Sequence, residues 1–143
     1  MQQRHVFSAF VLGILTLTAC SQATTDQPAK AGTEQATEQT TVNLTPQAFK
    51  QAVEKQEALL VDVRTPAEYA SGHLAGSINV DWTASGYEAE FAKLPKDKPL
   101  LLYCRSGGRS GQALEYLQAK GYQVQHMEGG IGAWMNAGLP VTK

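Results

Sequence analysis

An excess of charge of either sign is missing. The 143 residues hold 12 Lys and Arg against 13 Asp and Glu, a net charge of −1. No basic patch therefore points to nucleic acid, nor to an anionic membrane surface. Cysteine is scarce: there are two, Cys20 and Cys104. No Cys/His cluster has zinc spacing, so no metal is implied. Walker and dinucleotide fingerprints are absent, because Gly107-Gly108 lacks the third glycine and the lysine those loops need. No cofactor is implied. There is no internal repeat of domain size, and the length suits one domain. The apolar run at residues 6–19 is too short and wrongly flanked for an ordinary transmembrane helix.

That run follows Arg4 and His5 and closes on Leu17-Thr18-Ala19-Cys20. The ending resembles the lipobox of bacterial lipoproteins. The resemblance implies a signal peptide over residues 1–19 and a lipidated Cys20 as first residue of the mature chain. A plain secretory peptide cut near Ala19 and an uncleaved signal anchor are the alternatives. Lipidation implies an exported protein held to a bacterial membrane without spanning it. Ser21 follows the cysteine, which in a Gram-negative cell implies the outer membrane, periplasmic side. Residues 21–41 are rich in Thr, Gln, Ala and Glu, with nothing apolar larger than Ala. Such a segment buries too little surface to order itself, and residues 20–41 read as the lipid-bearing cysteine and a flexible tether.

The most informative stretch lies within residues 99–120. An apolar run, Pro99-Leu100-Leu101-Leu102-Tyr103, leads into Cys104-Arg105-Ser106-Gly107-Gly108-Arg109-Ser110, and a helical pattern follows over residues 111–120. This reads as strand, loop, helix. The cysteine then stands at the carboxyl end of a strand, where open α/β sheets bind ligands. The helix behind it begins with unpaired N–H groups and a positive dipole end. Gly107 and Gly108 permit positive φ, so successive N–H groups can turn inward as an anion-binding nest. A thiol above such a nest has a lowered pKa. With Arg105 and Arg109 on the same loop, the pattern points to a cysteine nucleophile acting on an anionic substrate. It requires a thiol that solvent can reach and amides that converge on it.

Upstream, Val42-Asn43-Leu44 is a short strand, and Thr45-Pro46 opens a helix to about residue 56. Residues 58–63 are nearly all apolar, as in a parallel strand buried on both faces. Thr65 and Glu68 form a capping box around Pro66, opening a helix to about Ser71. A strand at residues 77–80 and a helix at 88–94 follow. Downstream, residues 122–127 are the last strand, Gly129-Gly130 a turn and residues 131–136 a short helix. Alternating strands and helices predict an α/β domain over residues 42–143, its parallel sheet covered on both faces.

Asp62-Val63-Arg64, Glu68-Tyr69, the run from Gly72 to Asn79, the loop from Cys104 to Ser110, and Gly129-Gly130 with Trp134 and Gly138-Leu139-Pro140 occur in that order. Together they resemble a single-domain rhodanese, a sulfurtransferase, across residues 42–143. The resemblance implies a five-stranded, mostly parallel sheet with helices on both faces. It implies Cys104 as the catalytic residue, carrying sulfane sulfur as a persulfide from an anionic donor such as thiosulfate. The acceptor is cyanide, a thiol or a partner protein. Arg105, Ser106, Gly107, Gly108, Arg109 and Ser110 are the expected substrate-binding residues, with Ser110 expected to cap the helix. Asp62, Arg64 and Glu68 are expected to organise structure, Arg64 pairing with Glu68. His73 and Trp134 are read as structural, His126 as a surface residue without a partner, and Trp82 as lining the site's mouth or packing on the surface.

Two other functions are weighed against this one. A rhodanese-like sulfur carrier or binding module would keep the loop without efficient turnover. A Cys-dependent phosphatase or arsenate reductase would need arginine at the sixth position after the cysteine. Ser110 stands there and Arg109 is one residue short, which counts against that chemistry.

Overall fold

The computed structural model describes residues 42–143. The leader, Cys20 and the tether lie outside the described residues. In chain order the elements are β1 (Asn43–Leu44), α1 (Pro46–Glu54), β2 (Leu59–Asp62), α2 (Pro66–Ser71), β3 (Ile78–Asn79), α3 (Tyr87–Ala92), β4 (Leu100–Tyr103), α4 (Gly108–Ala119), β5 (Val124–Met127) and α5 (Gly130–Asn136). The five strands form one sheet in the order β1-β5-β4-β2-β3. Every pairing is parallel, so the expected mostly parallel sheet is parallel throughout.

Side chains alternate across this sheet, and two apolar layers result. Leu100 and Leu102 face one way and join Val61, Val63, Phe91 of α3, and Ala113, Leu114 and Leu117 of α4. Leu101 and Tyr103 face the other way and join Leu60, Phe49 of α1, and Ile131 and Trp134 of α5. Leu100, Leu102 and Tyr103 are fully buried, as a central strand covered on both faces must be. Trp134 is a core residue: it meets Phe49 edge to face, and its indole N–H donates to Pro140 O at 2.8 Å.

Local signals hold at the first two helices. Thr45 Oγ1 accepts from Ala48 N–H at 3.3 Å. The capping box closes, Glu68 N–H to Thr65 Oγ1 at 3.3 Å and Thr65 N–H to Glu68 Oε2 at 3.2 Å. His73 is structural: its ring stacks on Tyr69, and its backbone exchanges two hydrogen bonds with Thr142. Trp82 packs against Tyr87, Phe91 and Tyr116 beside α4, which is the packing alternative. Helix α4 starts at Gly108, three residues earlier than the pattern predicts, so the last three residues of the expected loop belong to its first turn.

Candidate active site

Strand β4 ends at Tyr103 and delivers Cys104 to the carboxyl edge of the sheet. Residues 105–107 then turn the chain into α4. Gly107 makes this turn at φ 95°, where an L side chain is strained. It is the N-cap of α4 and offers no side-chain cap. The Gly107 N–H instead donates to Cys104 Sγ at 3.1 Å, and the Ser110 hydroxyl stands 3.6 Å from the same sulfur. Cys104 is a free thiol.

The orientation of this loop is fixed from behind by α5. Ile131 N–H donates to Cys104 O at 2.8 Å and Gly132 N–H to Arg105 O at 3.1 Å. With these carbonyls held outward, the loop's N–H groups are left facing the sulfur. The approach is so close that a Cβ at Gly130 would lie 2.3 Å from Cys104 O. Gly130, at φ 56°, is therefore part of the site's construction, beyond the turn its sequence suggests.

Electrostatics follow from this geometry. Burial opposes ionisation of Cys104. The Ser110 N–H and hydroxyl, with the N–H groups of Ser106 and Gly107, more than offset it, and the thiol pKa is lowered. The convergence of amides is thus as the loop pattern requires. The open thiol is not: Cys104 is 1% exposed. The loop that stabilises the anion also covers it, with Arg105, Ser106 and Gly108 exposed above.

Four other expectations are corrected. Arg64 does not pair with Glu68. Its guanidinium donates to Asp62 Oδ2 at 2.6 Å and to Gly72 O at 2.7 Å, in an ion pair where Asp62 is fully buried. Glu68 instead takes Arg109 in a two-point contact, at 2.7 and 2.8 Å. The Arg109 guanidinium, with Thr65 adding to it against burial, holds the Glu68 carboxyl down at about 2. Arg109 is therefore ion-paired with Glu68 while its charge still acts on Cys104, whereas Arg105 is exposed and has no carboxylate partner among the described residues. Ser110 does not cap α4. It lies in the first turn, buried, with its hydroxyl oxygen 3.1 Å from Gly107 O. Gly108 has no positive φ; Gly107 alone of the pair supplies it.

The last correction is His126, which is buried at 9% exposure. Its Nδ1 lies 3.1 Å from Ser110 Oγ and its Nε2 3.0 Å from Asn43 Oδ1. The signal available in sequence is its place in the alternation of β5, two residues from buried Val124. Among the described residues no group of three His, Cys, Asp or Glu could hold a metal ion.

The fold agrees with comparisons to known proteins. The family model for the rhodanese-like domain matches residues 45–137. A sulfurtransferase of Allochromatium vinosum is 41% identical over 88 residues, covering 61% of this chain and 80% of that protein. Protein slr1261 of Synechocystis is 35% identical over 108 residues, covering 73% of this chain and 58% of its own length. Among solved structures, a rhodanese-related protein of Thermoplasma volcanium superposes with a TM-score of 0.64 at 30% identity, covering 70% of this chain and 96% of that one. The chain belongs to the rhodanese-like domain family. Sulfurtransferases are among its relatives, which supports a transferase role.

Proposed function

We propose that Cys104 is the sulfur-carrying residue of a thiosulfate-type sulfurtransferase. The single observation that supports this most is the convergence of the Ser106, Gly107 and Ser110 amides on a free thiol with a lowered pKa. In the first step the Cys104 thiolate attacks the outer sulfur of the donor. A sulfur–sulfur bond forms as the donor's own breaks, and sulfite leaves with the electron pair. The persulfide is anionic, and the same N–H groups that hold the thiolate suit it. In the second step cyanide, a thiol or a partner's thiol attacks the terminal sulfur and the thiolate is restored. Arg105, exposed and unpaired, draws in the anionic donor, a role Arg109 shares only weakly because Glu68 balances its charge.

Burial sets a condition on this reading. The donor's outer sulfur must enter between the side chains of the loop, so reactivity falls with reagent size. Incubation with thiosulfate is expected to add one sulfur atom to the intact mass. Cyanide or a thiol removes it, and Cys104→Ser, still folded, gains nothing. Absence of the adduct in folded wild-type protein would sink the proposal. Full loading with negligible turnover on small acceptors would instead favour the carrier reading.

We further infer that residues 1–19 export the chain and that Cys20 anchors it through lipid. The support is the Leu17-Thr18-Ala19-Cys20 ending of the apolar run. Detergent-phase partitioning that survives Cys20→Ala would overturn it.

A further inference from the structure

Strand β5 runs between β1 and β4, so a side chain in its middle has neighbours on both sides. His126 is in register with Asn43 of β1 and Leu102 of β4. Across the sheet face, Gly111 of α4 lies against the ring: a Cβ there would sit 3.6 Å from His126 Cε1, at ordinary contact distance. The ring closes a continuous polar chain. Asn43 Oδ1 is 3.0 Å from Nε2, Nδ1 is 3.1 Å from Ser110 Oγ, and Ser110 Oγ is 3.6 Å from Cys104 Sγ.

Proton counting gives this chain a direction. The Ser110 hydroxyl has one hydrogen and three acceptors in reach: Sγ, Gly107 O and a bare Nδ1. Asn43 Oδ1 accepts the Nε2–H, which leaves Nδ1 bare in the neutral ring. Nδ1 then claims the hydroxyl hydrogen. Once the sulfur ionises, the hydroxyl is better donated to the anion. Nδ1 is then left facing oxygen lone pairs inside the fold, and it is satisfied there only by carrying a hydrogen of its own.

We propose that His126, held by Asn43, is a positioning residue that receives through Ser110 the proton Cys104 gives up. The S–H bond breaks toward Oγ as the O–H bond breaks toward Nδ1, leaving thiolate, hydroxyl and imidazolium. No electrons are exchanged, and no outside base is needed. The nucleophile, base and orienting group follow the logic of a catalytic triad with a hydroxyl interposed. The titratable groups near the ring are Glu128 beyond the end of β5, which acts on it directly, and Cys104 at the end of β4, which reaches it through Ser110; β1 and α4 bring the uncharged Asn43, Ser110 and Gly111. Burial pushes the imidazolium down and the Glu128 carboxylate partly offsets this, so the ring rests neutral and is a weak base, which takes up the proton only as the thiolate forms beside it. The inference rests on the proposed role of Cys104.

The test is the ultraviolet absorbance of the Cys104 thiolate against pH, with Cys104→Ser as the blank. Ser110→Ala and His126→Gln are each expected to raise the inflection by about one pH unit, and the double variant no further. Glutamine offers the serine an amide but takes up no proton, so an unmoved inflection in His126→Gln overturns proton uptake. Asn43→Asp favours the imidazolium and is expected to lower the inflection; a rise overturns the proposal. Should His126→Gln not fold, ring-nitrogen NMR of the wild type decides. His126 is expected to titrate with Cys104 and to lose that step in Cys104→Ser, whereas identical titration in both proteins overturns the coupling. None of these measurements uses a sulfur donor. Unmoved titrations with normal thiosulfate loading refute the relay alone, and moved titrations without loading refute the proposed function alone.

Discussion

Two strand–helix junctions lie side by side at the carboxyl edge of the sheet, one after β2 and one after β4. They satisfy their amides by different means. After β2, side chains do most of it: the Val63 N–H donates to Tyr103 O at 3.0 Å, but Asp62 Oδ1 accepts from Arg64 N–H at 2.9 Å, and Thr65 with Glu68 closes the start of α2. After β4, the N-cap is a glycine with no side chain to offer, and the amides of Ser106, Gly107 and Ser110 turn to a sulfur. One junction is complete in itself. The other is completed by an anion, and the anion is the thiolate. The difference teaches how a reactive group is built: remove the ordinary cap, tighten the turn with Gly107, and put a titratable atom where the cap would be.

The largest way to break this contrast is at Gly130. Alanine there meets Cys104 O at 2.3 Å and takes a φ of 56°, so the loop must leave α5 or the helix must shift. A loss of about 3–5 kcal/mol in chemical denaturation is expected, with loss of the lowered thiol pKa. A cost below about 1 kcal/mol would mean that α5 does not hold the loop.

Next come the two caps themselves. Thr65→Ala removes an ordinary cap and is expected to cost about 1 kcal/mol. Cys104→Ala leaves several inward amides without an acceptor and is expected to cost about 1–3 kcal/mol, more than Thr65→Ala. Equal unfolding free energies for the two variants would remove the sulfur from its capping role.

The smallest effect concerns Glu68, which belongs to both junctions: it closes the α2 box and binds Arg109 of α4. Its folded carboxyl is held at about 2 against an ordinary 4.5. The unfolded chain therefore binds the proton more readily, so the stabilisation is whole above about 4.5 and is lost as pH falls toward 2. Both side chains keep about a quarter of their surface in water, which screens the pair. Wild type is expected to exceed Glu68→Gln by less than about 1 kcal/mol at neutral pH, the gap closing through that window. A gap that widens on acidification would contradict the assignment.

What was legible in the sequence was local or periodic. The capping box at Thr65 spans four residues, and the buried run of β4 declares itself by composition. The nest was legible because a glycine pair stands between a strand-end cysteine and the start of a helix. What stayed hidden depended on partners from distant elements. Arg109 finds Glu68, and His126 finds Asn43 and Ser110, only after the sheet sets β1 beside β5 and α4 above it. The early start of α4 was hidden for a related reason, because a sulfur does the work that sequence patterns look for in Ser, Thr, Asp or Asn. Burial of Cys104 was hidden too, since the loop that binds the anion is also its cover.

The central claim is that main-chain amides hold Cys104 as an anion, and direct titration of the thiolate tests it. The thiolate absorbance of folded wild-type protein, corrected with Cys104→Ser, is expected to rise with an inflection below the value of about 8.5 of an unperturbed cysteine. An inflection at or above that value would show that burial outweighs the amides and would contradict the account.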